Sequence, residues 1–150
     1  MEEAAKSFGP MIKLMNNQMG DLCTAFYKKY GNDAVSTVSA VSAKYGEPFA
    51  KIVQKMMPVK NLKDVAEMYK MMFGMTGEKF EVVKASEDTL HFTMSNCPLG
   101  LEGTSKELCE AAMQMDRKMV GTLVGHPINI GVMKTVAAGD KNCEVTFSKK

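Results

Sequence analysis

Three cysteines in the second half of the chain are the residues best suited to chemistry. Cys97 and Cys109 lie in "NCPLGLEGTSKELC", and Cys143 lies in "GDKNCEVTF". Thiolate sulfur is the soft ligand that zinc and iron–sulfur clusters prefer. The spacing is unlike the close CxxC pairs of structural zinc sites, so it leaves open a second interpretation, in which these cysteines pack as small apolar residues.

The elements around these cysteines would carry them to one edge of a sheet. Cys97 follows a strand that Pro98 ends, Cys109 lies in the first turns of a helix, and Cys143 opens the last strand. Ends of strands and helices can meet at one rim, and we expect the three sulfurs to meet there. Cys23 lies on the apolar stripe of the first helix and is interpreted as structural.

The first half of the chain, residues 1–76, has the periodicity of helices. In the first helix, apolar residues recur every three or four positions, which predicts one buried face; they are Met11, Leu14, Met15, Met19, Leu22, Cys23, Phe26 and Tyr27. We expect this helix to end at Gly31, a second to end at Gly46, and a third to run from Pro48 to Pro58. A fourth is predicted over 62–73, with Asn61 as its cap.

From Phe80 the period changes to that of strands. "FEVVKAS" and "TLHFTMSN" alternate apolar and polar residues and predict a β-hairpin. A helix follows over 105–123, capped by Thr104 or Ser105, and "INIGVMKTVAA" and "CEVTF" predict a second hairpin. Residues 77–150 therefore form a ββαββ region that carries the cysteines. The whole chain is predicted to be a single α+β domain, 1–150, whose antiparallel sheet is covered by helices.

Composition excludes some functions and leaves others open. The formal net charge is +2 and no basic recognition helix is present, so nucleic acid is not an expected partner. No secretory signal or membrane span is found in the sequence, and we expect a cytoplasmic protein with thiols or metal ligands rather than disulfides. Fifteen methionines are interpreted first as a core that uses Met where other proteins use Leu; a pliable interior, an apolar ligand pocket or a surface for a protein partner are the alternatives. A homodimer is left open.

The segment "NCPLG…ELC…AAGDKNCEVTF" resembles the amino-thiazoline-carboxylate hydrolase family, and the helices ending in "KKYG" and "AKYG" are similar to its helical half. More distantly, the chain resembles the four-vinyl reductase domain and the three-cysteine sensor half of iron–sulfur-dependent repressors. The resemblance implies a small ligand-binding fold, in which Cys97, Cys109 and Cys143 would hold an iron–sulfur cluster, our first choice, or zinc.

A tetrahedral metal bound by three thiolates would have one further position. The chain has two histidines, His126 and His91, and either is a candidate fourth ligand. Glu102, Glu107 and Glu110 are candidate general bases, although a helix start also favours acidic residues there.

The sequence thus supports three functional hypotheses and leaves open whether the protein is an enzyme. The first is a metal- or iron–sulfur-binding module for ligand binding, sensing or an accessory role. The second is a hydrolase that opens a small sulfur–nitrogen heterocycle of the amino-thiazoline type. The third is an interaction protein without a cofactor, in which the cysteines only pack.

Overall fold

A computed structural model describes residues 2–150 and confirms the α+β class, with helices first and strands after them. The helices are α1 (Glu2–Tyr30), α2 (Asn32–Met56), α3 (Leu62–Thr76), α4 (Lys106–Ala112) and α5 (Gln114–Val124). The strands are β1 (Phe80–Ala85), β2 (Thr89–Met94), β3 (Ile128–Lys134) and β4 (Cys143–Lys149). A short 3-10 helix, Val136–Ala138, lies between β3 and β4.

The four strands form one antiparallel sheet in the order β1-β2-β4-β3. The two hairpins expected from the sequence therefore join through β2 and β4, which places Met94 opposite Cys143. Alternate residues of these central strands are buried on the face that the helices cover. The two edge strands, β1 and β3, each contain a register shift, at Val83 in β1 and at Met133 in β3. Such a shift is a β-bulge, which hinders pairing of the edge strand with another sheet.

An aromatic cluster fills the space between α3 and the sheet. Its rings pack with centroids 4.9 to 6.1 Å apart, mostly edge to face. They belong to Tyr69, Phe73, Phe80, Phe92 and Phe147. The hydroxyl of Tyr69 donates a 2.6 Å hydrogen bond to Asp116 Oδ1, which ties α3 to α5.

The region predicted as two helices, one ending at Gly46 and the next starting at Pro48, is the single helix α2. The expected break at Gly46 is wrong because this glycine is where α5 packs closely. A Cβ there would lie 2.7 Å from Met115 O and Met119 N. Pro48 leaves the Lys44 carbonyl without its helical donor, but it lies on the exposed side of α2, where water can satisfy that group. The prediction that a helix ends at Pro58 is confirmed to within two residues, because α2 ends at Met56.

The buried face predicted for α1 is also only partly present. Met11, Leu14, Met15, Met19 and Leu22 are each at least half exposed, whereas Cys23, Phe26 and Tyr27 are partly buried. Besides packing through these three residues, the helix contacts the rest of the protein through buried glycines. A Cβ on Gly9 would overlap the Met75 carbonyl, and one on Gly20 would overlap the Leu99 carbonyl.

Several local expectations are confirmed. Asn61 Oδ1 accepts a hydrogen bond from the Asp64 amide, and Ser105 Oγ accepts one from the Leu108 amide, so both residues cap their helices. The helix expected over 105–123 is present as α4 and α5, with a bend at Met113. Among residues 2–150, none of the helices has both the length and the apolar character needed to cross a bilayer.

Candidate thiol site and a cationic cleft

The loop from Cys97 to Thr104 begins the candidate site. Gly100 and Gly103 adopt positive φ angles of 68° and 75°, which turn the chain sharply after β2. The Gly100 amide donates to Cys97 O at 3.0 Å, and the Thr104 hydroxyl donates to Leu101 O at 2.6 Å. Leu101 is buried, which anchors the loop in the core.

Cys97, Cys109 and Cys143 come from this loop, from α4 and from the first position of β4. Cys97 packs against both hydrophobic clusters of the protein, with Cys143 in one and Cys109 beside the other. The three sulfurs are near enough for Cys143 to raise the pKa of Cys97, and for both to raise that of Cys109. The three residues, which are separated by up to 46 positions in the sequence (143 minus 97), therefore lie in one region of the protein where the two hydrophobic clusters adjoin.

Burial is the main influence on these thiols. It raises the pKa of Cys97, although the backbone amides of Leu99 and Leu101 donate to the sulfur and act in the opposite direction. Burial also raises the pKa of Cys109, to about 11, against a hydrogen bond from the Thr135 hydroxyl. The other charged groups that act on the two thiols, among residues 2–150, are carboxylates or other cysteines. At neutral pH, Cys97 and Cys109 are therefore protonated.

Thr135 is a site residue that the sequence analysis did not single out. It is 2% exposed, and its hydroxyl accepts a hydrogen bond from the Ala137 amide at 3.2 Å while it donates to Cys109. The Thr135 amide donates to Asp140 Oδ2 at 2.8 Å, which fixes the turn before β4. A threonine directly before a short helical turn is a cap pattern, and this pattern is the feature that could have indicated it.

The two histidines lie away from the three sulfurs. His91 lies on the other face of the sheet, where its Nε2 is 3.0 Å from Glu144 Oε1. His126 follows α5, near Ile128, which pairs with Lys149 at the far end of β4 from Cys143. That strand is about 20 Å long at ~3.4 Å per residue.

The three candidate glutamates are exposed. Glu102 Oε1 accepts from the Cys97 amide at 3.4 Å, and Glu110 forms a 3.8 Å ion pair with Lys106. Glu107 lies in the first turn of α4, where the helix dipole favours an acid. Of the three, Glu102 is the one attached to the loop of Cys97.

All four cysteines are free. Within residues 2–150, no three His, Cys, Asp or Glu side chains are grouped closely enough to hold one metal ion as they stand. Cys23 packs beside the same hydrophobic cluster as Cys97 and Cys109. Its pKa is raised by burial alone. Cys23 is therefore a matched reference thiol outside the group of three.

A second candidate site is an open cleft of about 470 Å³ at the C-terminal end of α5. Four cationic or titratable side chains line it, and one of them is the chain's single arginine. These residues are Arg117, Lys118, His126 and Lys150. Since no acidic residue lines the cleft, it suits a small anion such as a carboxylate.

Two solved structures have a similar fold. The phenol-responsive sensory domain of the transcription activator PoxR, with phenol, matches with a TM-score of 0.65 and 13% identity, over 89% of this chain and 74% of that one. Subunit 3 of the trafficking protein particle complex from Naegleria fowleri, covalently bound to palmitic acid, matches with a TM-score of 0.69 and 18% identity, over 93% and 95%. The fold is thus that of a class of small helix-covered α+β domains.

Sequence comparison then assigns the family. The family described as L-2-amino-thiazoline-4-carboxylic acid hydrolase matches residues 2–147, and the chain belongs to it. This confirms the family that the cysteine segment indicated. A search among curated proteins found no match.

Proposed function

We propose that the protein is a ligand-binding domain whose Cys97, Cys109 and Cys143 together bind an iron–sulfur cluster or a zinc ion. One observation carries the proposal: three thiols from three separate elements lie within each other's electrostatic reach in a partly buried place. The family and the fold support a domain of the hydrolase-like or sensory ligand-binding kind.

The electrostatics of the site favour a soft cation. A buried thiol loses its proton at neutral pH only when a positive charge replaces it, and a bound metal supplies that charge. The amides of Leu99 and Leu101 that donate to the Cys97 sulfur would stabilise its thiolate, since hydrogen bonds to sulfur are common around such centres. Binding of a metal ion by Cys97, Cys109 and Cys143 would therefore release their protons.

Three thiolates leave one position of a tetrahedral ion free for a small ligand or for water. Glu102, attached to the Cys97 loop, is better placed than His91 or His126 to approach that position. A site with one exchangeable position suits either sensing or hydrolysis.

The test is the metal content of protein purified without oxygen. We expect iron with broad visible absorption, or zinc, at a fixed ratio to the chain. Changing Cys97, Cys109 or Cys143 to Ser removes the bound centre, whereas Cys23→Ser, the matched control, retains it. Equal metal content in all four variants contradicts the proposal, and metal-free wild-type protein of unchanged fold favours the interaction protein instead.

The second candidate is a hydrolase that adds water across a ring bond of a small sulfur–nitrogen heterocycle bearing a carboxylate. Family membership over residues 2–147 favours it. Arg117 in the cationic cleft can bind a carboxylate through two parallel hydrogen bonds, which lysine cannot do.

This candidate is tested with L-2-amino-thiazoline-4-carboxylic acid, the compound in the family description, by mass spectrometry of the ring-opened product. If the substrate carboxylate binds in the cleft, Arg117→Gln raises KM by about tenfold or more, and Lys134→Gln, outside the cleft, does not. The cleft and the thiol site lie at opposite ends of β4. Loss of activity in Cys97→Ser with unchanged activity in Arg117→Gln would therefore assign the reaction to the thiol site.

A further inference from the structure

The first two helices display an unusual amount of uncovered apolar surface. Among residues 2–150, twelve of the fourteen large apolar side chains that are substantially exposed lie on α1 and α2. We use "helix-pair face" for the surface formed by Phe8, Met15 and Met19 on α1 and by Tyr45, Phe49 and Met56 on α2. Each of these six side chains is between 41% and 71% exposed.

The helix-pair face continues the surface along which α1 and α2 already pack. Near the Gly31 turn, Phe26 of α1 and Val38 of α2 belong to the same hydrophobic cluster. Met19, Met15 and Phe8 lie about two, three and five turns from Phe26 along one side of α1.

The second helix repeats this arrangement. Tyr45, Phe49 and Met56 lie at the same spacings from Val38 along one side of α2. On each helix, the side that packs in the shared cluster near Gly31 is therefore the same side that is exposed farther from the turn.

The two helices use other sides to pack on the rest of the chain. Helix α1 packs on α3 and on the Cys97 loop through Gly9 and Gly20, while α2 packs on α5 through Gly46. These glycine contacts leave the apolar side chains of the helix-pair face exposed.

We propose that a second copy of this chain covers the helix-pair face, so that two helix pairs form a symmetric four-helix interface. The exposed area agrees with this occupant. The twelve exposed side chains of α1 and α2, which include the six of the helix-pair face, together present about 1,200 Å², on the order of 100 Å² each, compared with about 800 Å² per partner in a stable complex. The largest apolar patch of a typical monomer is about 300–600 Å².

The shape of the face also favours a second copy. Helices α1 and α2 have 29 and 25 residues, so the helices of a second copy match the helix-pair face in length. A two-fold axis brings the same patch of both protomers together, and each apolar helix side is then covered by an equivalent one. Methionine, which adapts its shape, supplies Met15, Met19 and Met56 at this contact.

The test is the mass of the full chain in solution, measured by sedimentation over a wide concentration range. We expect twice the chain mass of 16.5 kDa. Tyr45→Lys combined with Phe49→Lys, or Met15→Lys combined with Met19→Lys, should raise the dissociation constant by about 100-fold or more, since buried central residues dominate an interface. Val83→Lys and Met133→Lys, 59% and 51% exposed on the sheet, are the matched controls and leave the dimer unchanged.

Circular dichroism checks that the variants fold. If the lysine variants do not fold, Tyr45→Gln with Phe49→Gln gives the same weakening with a smaller disturbance. A wild-type chain that is monomeric at every concentration overturns the proposal, as do sheet controls that dissociate as readily as the helix variants. A monomer that co-sediments with phosphatidylcholine vesicles also overturns it, because a lipid surface would then be the occupant.

Discussion

The aromatic cluster beneath α3 and the helix-pair face are both built from large apolar side chains, but only the first is enclosed. Phe92 on β2 is covered by α3 and is only 4% exposed, whereas Phe8 on α1 is 53% exposed. In the cluster, the sheet and two helices of the same chain supply the covering surfaces. On the helix pair, no other element of residues 2–150 covers the equivalent stripe. Apolar periodicity therefore shows that a face is suited to burial, and tertiary structure decides what buries it.

The largest expected effect comes from removing a ring from each region. Phe92→Ala should lower the free energy of unfolding by about 3–5 kcal/mol, because it leaves a cavity within the cluster. Phe8→Ala should change it by less than about 0.5 kcal/mol. Both are measured by urea denaturation in the Tyr45→Lys, Phe49→Lys background, so that association does not contribute. Similar losses for the two variants would show that the regions do not differ as described.

A smaller effect is expected from adding a methyl group on the covered side of α2. Gly46→Ala should cost about 1–3 kcal/mol, since the new Cβ meets the backbone of α5. Gly74→Ala in α3 has open space around it and should stabilise the protein by about 0.5–1 kcal/mol. Thermal unfolding of the two variants checks these opposite signs. A stabilising Gly46→Ala would mean that α2 and α5 are not in close contact.

The smallest effect concerns the buried hydrogen bond between Tyr69 and Asp116. Burial raises the pKa of Asp116 above its ordinary value of 3.8, against the opposing effect of the Tyr69 hydrogen bond. The folded protein therefore holds this proton more tightly than the unfolded chain. Its contribution to stability is complete below pH 3.8 and is lost as the pH rises through the raised value.

Asp116→Asn removes this titration while it keeps an acceptor for Tyr69. We expect the variant to lie within about 1 kcal/mol of wild type at acid pH and to gain on it as the pH rises. Urea denaturation across the acid range, with Asp21→Asn on the exposed surface of α1 as the control, measures the difference. A constant difference at every pH would contradict the assigned cause.

Local features of the fold could be predicted because short-range physics sets them. The alternation in "TLHFTMSN" placed β2, and the caps at Asn61 and Ser105 were found from side-chain type alone. The continuation of α2 through Gly46 could not be predicted, because it depends on contact with Met115 and Met119, nearly 70 residues later.

The candidate site shows the same division. Residue type singled out Cys97, Cys109 and Cys143 as candidates, since thiolate is the ligand that soft cations prefer. A cap pattern could have indicated Thr135, but its contact with Cys109 became apparent only once the 3-10 turn and α4 were placed side by side. Residue type could not place the histidines either, because strand alternation and the length of the sheet keep His91 and His126 away from the sulfurs.

The sequence by itself determined the order of helices and strands, the candidate thiol residues and the family to which the chain belongs. These depend on periodicity, capping and residue chemistry, which act between near neighbours or are properties of single side chains. Only the tertiary structure decided that the three thiols lie in one partly buried region and that the long apolar sides of α1 and α2 remain uncovered. Burial and electrostatic contact depend on residues that are distant in the chain, and their positions are set only when all the elements pack.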